Sequence, residues 1–455
     1  MSAAPLEEYA GGLEQLARRL GLEHRAVDFE LVPASLMTEI AVYGLPIRMP
    51  HWSFGVRYIH QLVRQSMGHS KIFEVMFPGD PCRAFLMDGN SLAENTLVTA
   101  HVLGHADFAR NNALFARYHE MAGGNIIDMA AAHARRIDEA IAQFGLQQVE
   151  AVLDAALALE AHVDVQHELH RAPYPKEAPQ RKDAPPKDSF RERFERLSTD
   201  PVRQPPASGA QRAPLPPHPE FDLPWFIAHY APELEQWERD IFLAVRAESL
   251  YFYPVFACQI MNEGWASYWH ARLLREADFL PQQLYVSALK AHSDVVRPLA
   301  SDGQSALAVN PYHLGFALWE RIIETHGMER ARGICREEDD SGFIRNYLDR
   351  ELAERLQLFT YALGRDGEVR VASRDLEQVR EAILAPRFNY GAPRVAVAEL
   401  QPDGVLVLAH EHASDGRGLD VARANKVLEY VRRVWRRPVR LRTVGARGEP
   451  LELAA

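Results

Sequence analysis

Two histidines one helical turn apart, inside an unbroken helical stretch, constrain this chain more than any other feature. The stretch runs from Asn90 to Asn112 and holds no proline. Asn90 or Ser91 can cap its start, and Glu94 stands where a capping box wants a carboxylate. At about 100° per residue, Glu94, His101, His105 and Asn112 fall in one narrow sector of the helix. Both imidazoles can therefore reach a single metal ion, as in helical H-x-x-x-H zinc sites. Two buried, hydrogen-bonded histidines would give the same spacing, and for a bare H-x-x-x-H that plainer reading is the commoner one.

A second stretch shifts the balance. Ile260-Met-Asn-Glu-Gly-Trp-Ala-Ser-Tyr-Trp-His270 also reads as a helix. Spacings of four and seven bring Glu263, Ser267 and His270 to one side of it. It resembles the second metal helix of the gluzincin metallopeptidases, whose N-E-G-x-A-x-Y motif supplies a glutamate ligand. That resemblance implies a site of His101, His105 and Glu263, with an open position for water. Its cofactor would be a divalent metal, with zinc the first choice and iron and manganese also suited to two imidazoles and a carboxylate. The gluzincin first helix reads H-E-x-x-H, and the glutamate after the first histidine is its general base. Here that position is Val102, which cannot move a proton.

Catalytic groups must then come from elsewhere, and the candidates are Glu94, His270, Tyr268 and His51, with Glu248 and His292 behind them. Glu94 lies about 10 Å along the helix axis from His101, which suits contact with a substrate better than with the metal. His270 could be a fourth ligand or a proton donor. Asp107 points well off the ligand face and is expected to cap or pair elsewhere. A di-iron bundle would want Glu-x-x-His pairs, and none is found at that spacing. His162, His167 and His170 form another cluster, which reads more readily as a solvated helix end than as a metal site.

A longer set of strings resembles the stage V sporulation protein R (SpoVR) family from end to end. They are Tyr43-Gly-Leu-Pro-Ile-Arg-Met-Pro-His-Trp-Ser-Phe-Gly55, Met87-Asp-Gly-Asn-Ser-Leu-Ala-Glu94, Ala100-His-Val-Leu-Gly-His-Ala-Asp-Phe108, Met261-Asn-Glu-Gly-Trp-Ala-Ser-Tyr-Trp-His270 and Asn310-Pro-Tyr-His-Leu-Gly315. The resemblance implies a link to spore cortex formation, in a family also widespread among bacteria that make no spores. It supplies no chemical activity.

The fold class expected is α+β, mainly α: a large helical gluzincin-like domain with a small β-hairpin, then a C-terminal ferredoxin-like α/β domain. Residues 1–170 would form the first part of the helical domain and 220–363 the second, because the expected ligands lie on both sides of the break. Residues 171–219 are rich in proline and charge and read as a disordered linker, with a short helix at Phe190 to Leu197. Leu31 to Leu45 reads as a helix, and so does Leu146 to His170. Lys71–Phe77 and Cys82–Asp88 flank Pro78-Gly-Asp-Pro81 as a hairpin, which reads equally as a small structural hairpin or, by the gluzincin resemblance, as an edge that pairs with an extended substrate. Residues 364–455 follow the order βαββαβ, with Asp403-Gly404 at the central turn.

The charge of −11 argues against a general nucleic-acid or anionic-membrane binder. The arginines between Arg432 and Arg442 are the exception: they give the C-terminal domain a basic edge that reads most readily as a solvated face, and that a protein partner, or less readily RNA, could use. The three cysteines, Cys82, Cys258 and Cys335, are scattered and suggest neither disulfides nor a thiolate metal site. No membrane span and no secretory signal are expected, so the compartment expected is the cytoplasm. The function expected is a metal-dependent hydrolase of amide or peptide bonds, with a peptide or cell-wall fragment as substrate. The rival is a catalytically degenerate metallopeptidase-like scaffold or regulatory protein.

Overall fold

The structure is a computed structural model that describes residues 4–66, 74–174, 214–297, 309–363, 369–416, 418–445 and 448–455. The short helix expected at Phe190 to Leu197 lies outside them, as does most of the expected linker. The fold is mainly helical with small sheets. No single described helix is long and apolar enough to cross a membrane.

At its centre stands the helix Leu92–Asn111, called here the histidine helix. It starts on a capping box: Ser91 Oγ accepts from the Glu94 N–H at 3.2 Å, and the Ser91 N–H donates to Glu94 Oε2 at 2.7 Å. Its residues are buried almost all round, from Ala93 to Ala109. A helix without a polar face belongs in a core, and this one packs against Gln259–Glu276, the glutamate helix. The helix Pro311–Glu337, the tyrosine helix, closes the other side of the glutamate helix.

Glycines set how closely these three helices approach. A Cβ on Gly104 would fall 2.7 Å from the Ala266 Cα. Cβ atoms on Gly264 and Gly315 would overlap the backbones of Gly315 and Ile260 respectively. The glycines of the N-E-G and N-P-Y-H-L-G strings are thus explained by backbone contact. Gly315→Ala is expected to force the tyrosine and glutamate helices apart and to cost about 2–3 kcal/mol. Urea denaturation checks this, and an unchanged midpoint would remove the close-approach argument.

Before the histidine helix comes a three-stranded sheet in the order β1-β3-β2, with β1 Val27–Val32, β2 Glu74–Phe77 and β3 Cys82–Met87. The hairpin β2–β3 is antiparallel as expected, and β1 joins β3 in parallel. The helix expected from Leu31 is therefore corrected. Residues up to Val32 are a strand, and the helix Ala34–Tyr43 begins only after Pro33. Proline disfavours helical backbone at the residue before it, which keeps Val32 extended. The single helix expected over Leu146 to His170 is also split, into Leu146–Ala158 and the short His167–His170.

The C-terminal region differs from the ferredoxin-like expectation. Among the described residues, β4 Thr360–Leu363 and β5 Val369–Ser373 pair only with each other. The main sheet has the order β6-β7-β8-β9, with β6 Val395–Leu400, β7 Leu406–His410, β8 Val439–Val444 and β9 Pro450–Ala454. The helix Val421–Trp435 makes the crossover between parallel β7 and β8. β9, which the sequence did not announce, takes the place beside β8. Residues 215–220 run along the free edge of β6: Leu400 N–H donates to the Leu215 carbonyl, and Glu220 bridges to Val397. One apolar cluster joins Leu153, Phe226 and Phe242 to Val397, Leu441 and Trp435. The Trp435 ring stacks on Phe226 at 6.1 Å.

Candidate metal site

The histidine helix presents His101 and His105 to the glutamate helix, their rings 4.5 Å apart and nearly perpendicular. Glu263 Oε2 lies 3.4 Å from His101 Nε2 and 3.5 Å from His105 Nε2. Neither His101 Nε2 nor Glu263 Oε2 has a hydrogen-bond partner, though both are buried. Three donor atoms turned on one point without bonding each other match a cation's needs. Tetrahedral bonds of about 2.0–2.1 Å place donors about 3.3–3.4 Å apart, close to the observed separations. The residues present fit a metal.

Glu74, from β2, adds a second carboxylate. Its Oε1 is 4.0 Å from His101 Nε2, and Glu74, His101 and His105 form a cluster that could hold a metal ion. Glu74 is farther out than Glu263, so it stands beside the three-donor set. Both carboxylate side chains keep some exposure, 17% for Glu74 and 21% for Glu263, so solvent reaches this side of the cluster.

The far nitrogens of the two imidazoles are held as well. His105 Nδ1 is 2.8 Å from Asn262 Oδ1, so it carries a proton and donates it, leaving Nε2 as the lone-pair nitrogen. His101 Nδ1 is 2.8 Å from His270 Nδ1, and His270 Nε2 is 2.6 Å from His292 Nδ1. A lone pair on His101 Nε2 requires a proton on Nδ1, and the proton order along this chain then follows. Such outer hydrogen bonds fix the tautomer and direction of a ligating imidazole.

The buried imidazoles and carboxylates set one another's charge. Burial alone would raise the Glu263 carboxyl, but the imidazoles of His105 and His101 outweigh it and hold it well below the usual carboxylate range. Burial, then His105, lowers His101 from its ordinary value, against the opposing pull of Glu263. His105 is raised, because Glu263 overcomes the effect of burial. Burial, then the charge on Glu263, lifts Glu74 to about 7. The Tyr312 phenol, from the first turn of the tyrosine helix, is pushed well above its ordinary value by the charge of Glu263 and by burial, and its ring stacks on His101 at 6.0 Å.

The candidates named from the sequence have different fates. His101, His105 and Glu263 come together, and His270 lies directly behind His101. Glu94 spends its carboxylate on the capping box at the far end of the histidine helix. Tyr268 packs on Trp269. His51 sits before the helix Trp52–Ser66, 2.7 Å from Ser53 Oγ and 3.1 Å from Asp154. Glu248 is fully buried between Arg48 and His133. Asp107 turns away from the donors and accepts from Trp265 Nε1 at 2.9 Å and from the Glu23 N–H at 2.6 Å. His162 is half-buried, its pKa lowered to about 4 by desolvation, while His167 and His170 meet Asp164. Sequence reasoning missed Glu74, Asn262 and Tyr312. The last two lie inside the motif strings, and Glu74 lies in the hairpin already expected beside the site.

Comparison with known proteins finds one family over most of the chain. A family model described as SpoVR like protein matches residues 1–391. The uncharacterized protein YcgB of Escherichia coli (strain K12) is 26% identical over 467 residues, covering 94% of this chain and 90% of its own. No solved structure gives a significant match.

Proposed function

The chain belongs to the SpoVR family, and from that premise we propose that it is a metal-dependent hydrolase acting on amide or peptide bonds. The observation that carries the reading is the convergence of His101 Nε2, His105 Nε2 and Glu263 Oε2 at 3.4–3.5 Å, with two of these atoms buried and unpartnered. His101, His105 and Glu263 would hold the metal. Zinc bound there would polarise a carbonyl and bring the pKa of a bound water to about 7. Asn262 and His270 fix the two imidazoles, and the Tyr312 ring stacks on His101. The proton acceptor is Glu74, the partly exposed carboxylate beside the donor set that does not itself complete it. A peptide or cell-wall fragment is the substrate proposed. The family's tie to spore cortex formation is what favours the wall.

Purified full-length protein should contain metal by mass spectrometry and turn over one member of a peptide and muropeptide panel. Glu74→Gln should keep the metal and reduce turnover about 10²–10⁴-fold, the usual worth of a general base. Full activity in that variant would remove Glu74 from the role. A second reading, a metal-stabilised scaffold, is favoured by the burial of Val102, which is 0% exposed and leaves the usual base position apolar. Metal content without turnover on any substrate would decide for the scaffold.

A further inference from the structure

Away from the metal cluster, a cavity of about 480 Å³ opens where residues 385–394 pass the start of the helix Asp340–Tyr347. Four aromatic side chains line it: Phe221, Tyr253, Phe388 and Tyr390. Three guanidinium groups line it too, and two have a carboxylate within hydrogen-bond distance. Arg345 meets Glu381 at 2.7 Å, and Arg394 meets Glu411 at 3.2 Å and lies over the Phe221 ring.

Arg387 is different. Its Nη1 donates to the Ile383 carbonyl at 2.9 Å, but its buried Nε has no hydrogen-bond partner. The carboxylate nearest to it is Asp340 Oδ2 at 3.6 Å. Asp340 already accepts from the Ile260 and Met261 N–H groups, both at 2.9 Å, where it caps the glutamate helix. Of the other acids on the cavity wall, Asp339 accepts from the Gly342 N–H at 2.9 Å, and Asp164 accepts from the Gln166 N–H at 2.9 Å and lies 3.1 Å from His170, its buried Oδ2 otherwise without a hydrogen-bond partner. Burial, only partly offset by Asp340, disfavours the Arg387 charge and lowers its pKa. A guanidinium fork is built for bidentate pairing with a carboxylate.

The backbone under the aromatic wall is held in an unusual form. Asn389 and Tyr390 both take left-handed conformations, with φ of 51° and 56°. Tyr390 Oη donates to the Ser249 carbonyl at 2.9 Å, and its ring stacks on Phe256. Non-glycine residues in that region persist where their surroundings impose it, and they gather at ligand clamps.

We propose that this cavity binds a small aromatic carboxylate, with the carboxylate on Arg387 and the ring among the Tyr253 and Tyr390 side chains. The test is calorimetric titration of the full-length protein with benzoate, benzamide and inorganic phosphate. Benzoate should bind, and benzamide, which has the same shape without the charge, should bind at least about tenfold more weakly. Phosphate should also be weaker, since it has no ring to stack. Arg387→Gln should weaken benzoate at least about tenfold. If that variant does not fold, Ala385→Trp replaces it, because Ala385 lines the cavity from an exposed position and a larger side chain there blocks it. Absence of benzoate binding, equal affinity for benzamide or for phosphate, or benzoate binding undiminished in the variant that folds would each overturn the assignment.

Discussion

His105→Ala is expected to strip the metal from the protein and to lower its thermal midpoint. His105 Nε2 is one of the three converging donors, and without it a single imidazole is left beside the carboxylates of Glu263 and Glu74. Loss of an outer hydrogen bond alone weakens metal sites about 10–100-fold, so loss of a ligand should exceed about a hundredfold. Metal at a hundred times its dissociation constant stabilises a fold by about 2.7 kcal/mol, and the variant forfeits that. It also leaves Asn262 Oδ1 without its donor, at a further cost of about 1–3 kcal/mol. Calorimetry with and without a chelator separates the two effects. Chelation should lower the wild-type midpoint and leave the variant unmoved. A variant midpoint that still falls on chelation would place the metal elsewhere.

Val102→Glu, which would write H-E-x-x-H into the histidine helix, is expected to damage the fold and to add no peptidase activity. Val102 is 0% exposed and belongs to the same apolar cluster as Trp265 and Phe108. A carboxylate there has no cation to pair with, and an uncompensated buried charge costs at least about 3 kcal/mol. The motif glutamate is therefore not a missing part that can be put back, because the site faces Glu74 across β2 instead. Chemical denaturation measures the first effect and peptide turnover the second. A stable variant with new activity would show that position 102 faces the donors after all.

Much of this site could be read from the sequence because its signals are local. The capping box, the turn between His101 and His105, and the N-E-G string each lie within a few residues. Helix geometry then places the side chains without knowledge of the rest of the fold. What the sequence hid depends on distant partners. β1 is a strand because β3, some fifty residues on, pairs with it. Val369–Ser373 left the expected ferredoxin-like sheet because β4 lies next to it in the chain, and Pro450–Ala454 filled the place beside β8. Glu74 is a single glutamate in a short strand, and no spacing marks it; only the parallel and antiparallel register of the three-stranded sheet brings it to His101. Glu94 and His51 looked suitable by residue type and face, but local capping and the contact with Asp154 hold them elsewhere.

The most direct test is anomalous diffraction at the metal absorption edge from crystals of the full-length, metal-loaded protein. The structure predicts one strong peak about 2.0–2.2 Å from His101 Nε2, His105 Nε2 and a Glu263 carboxylate oxygen. A peak only at another histidine group, such as His167 and His170, or no peak from protein shown to contain metal, would contradict the site.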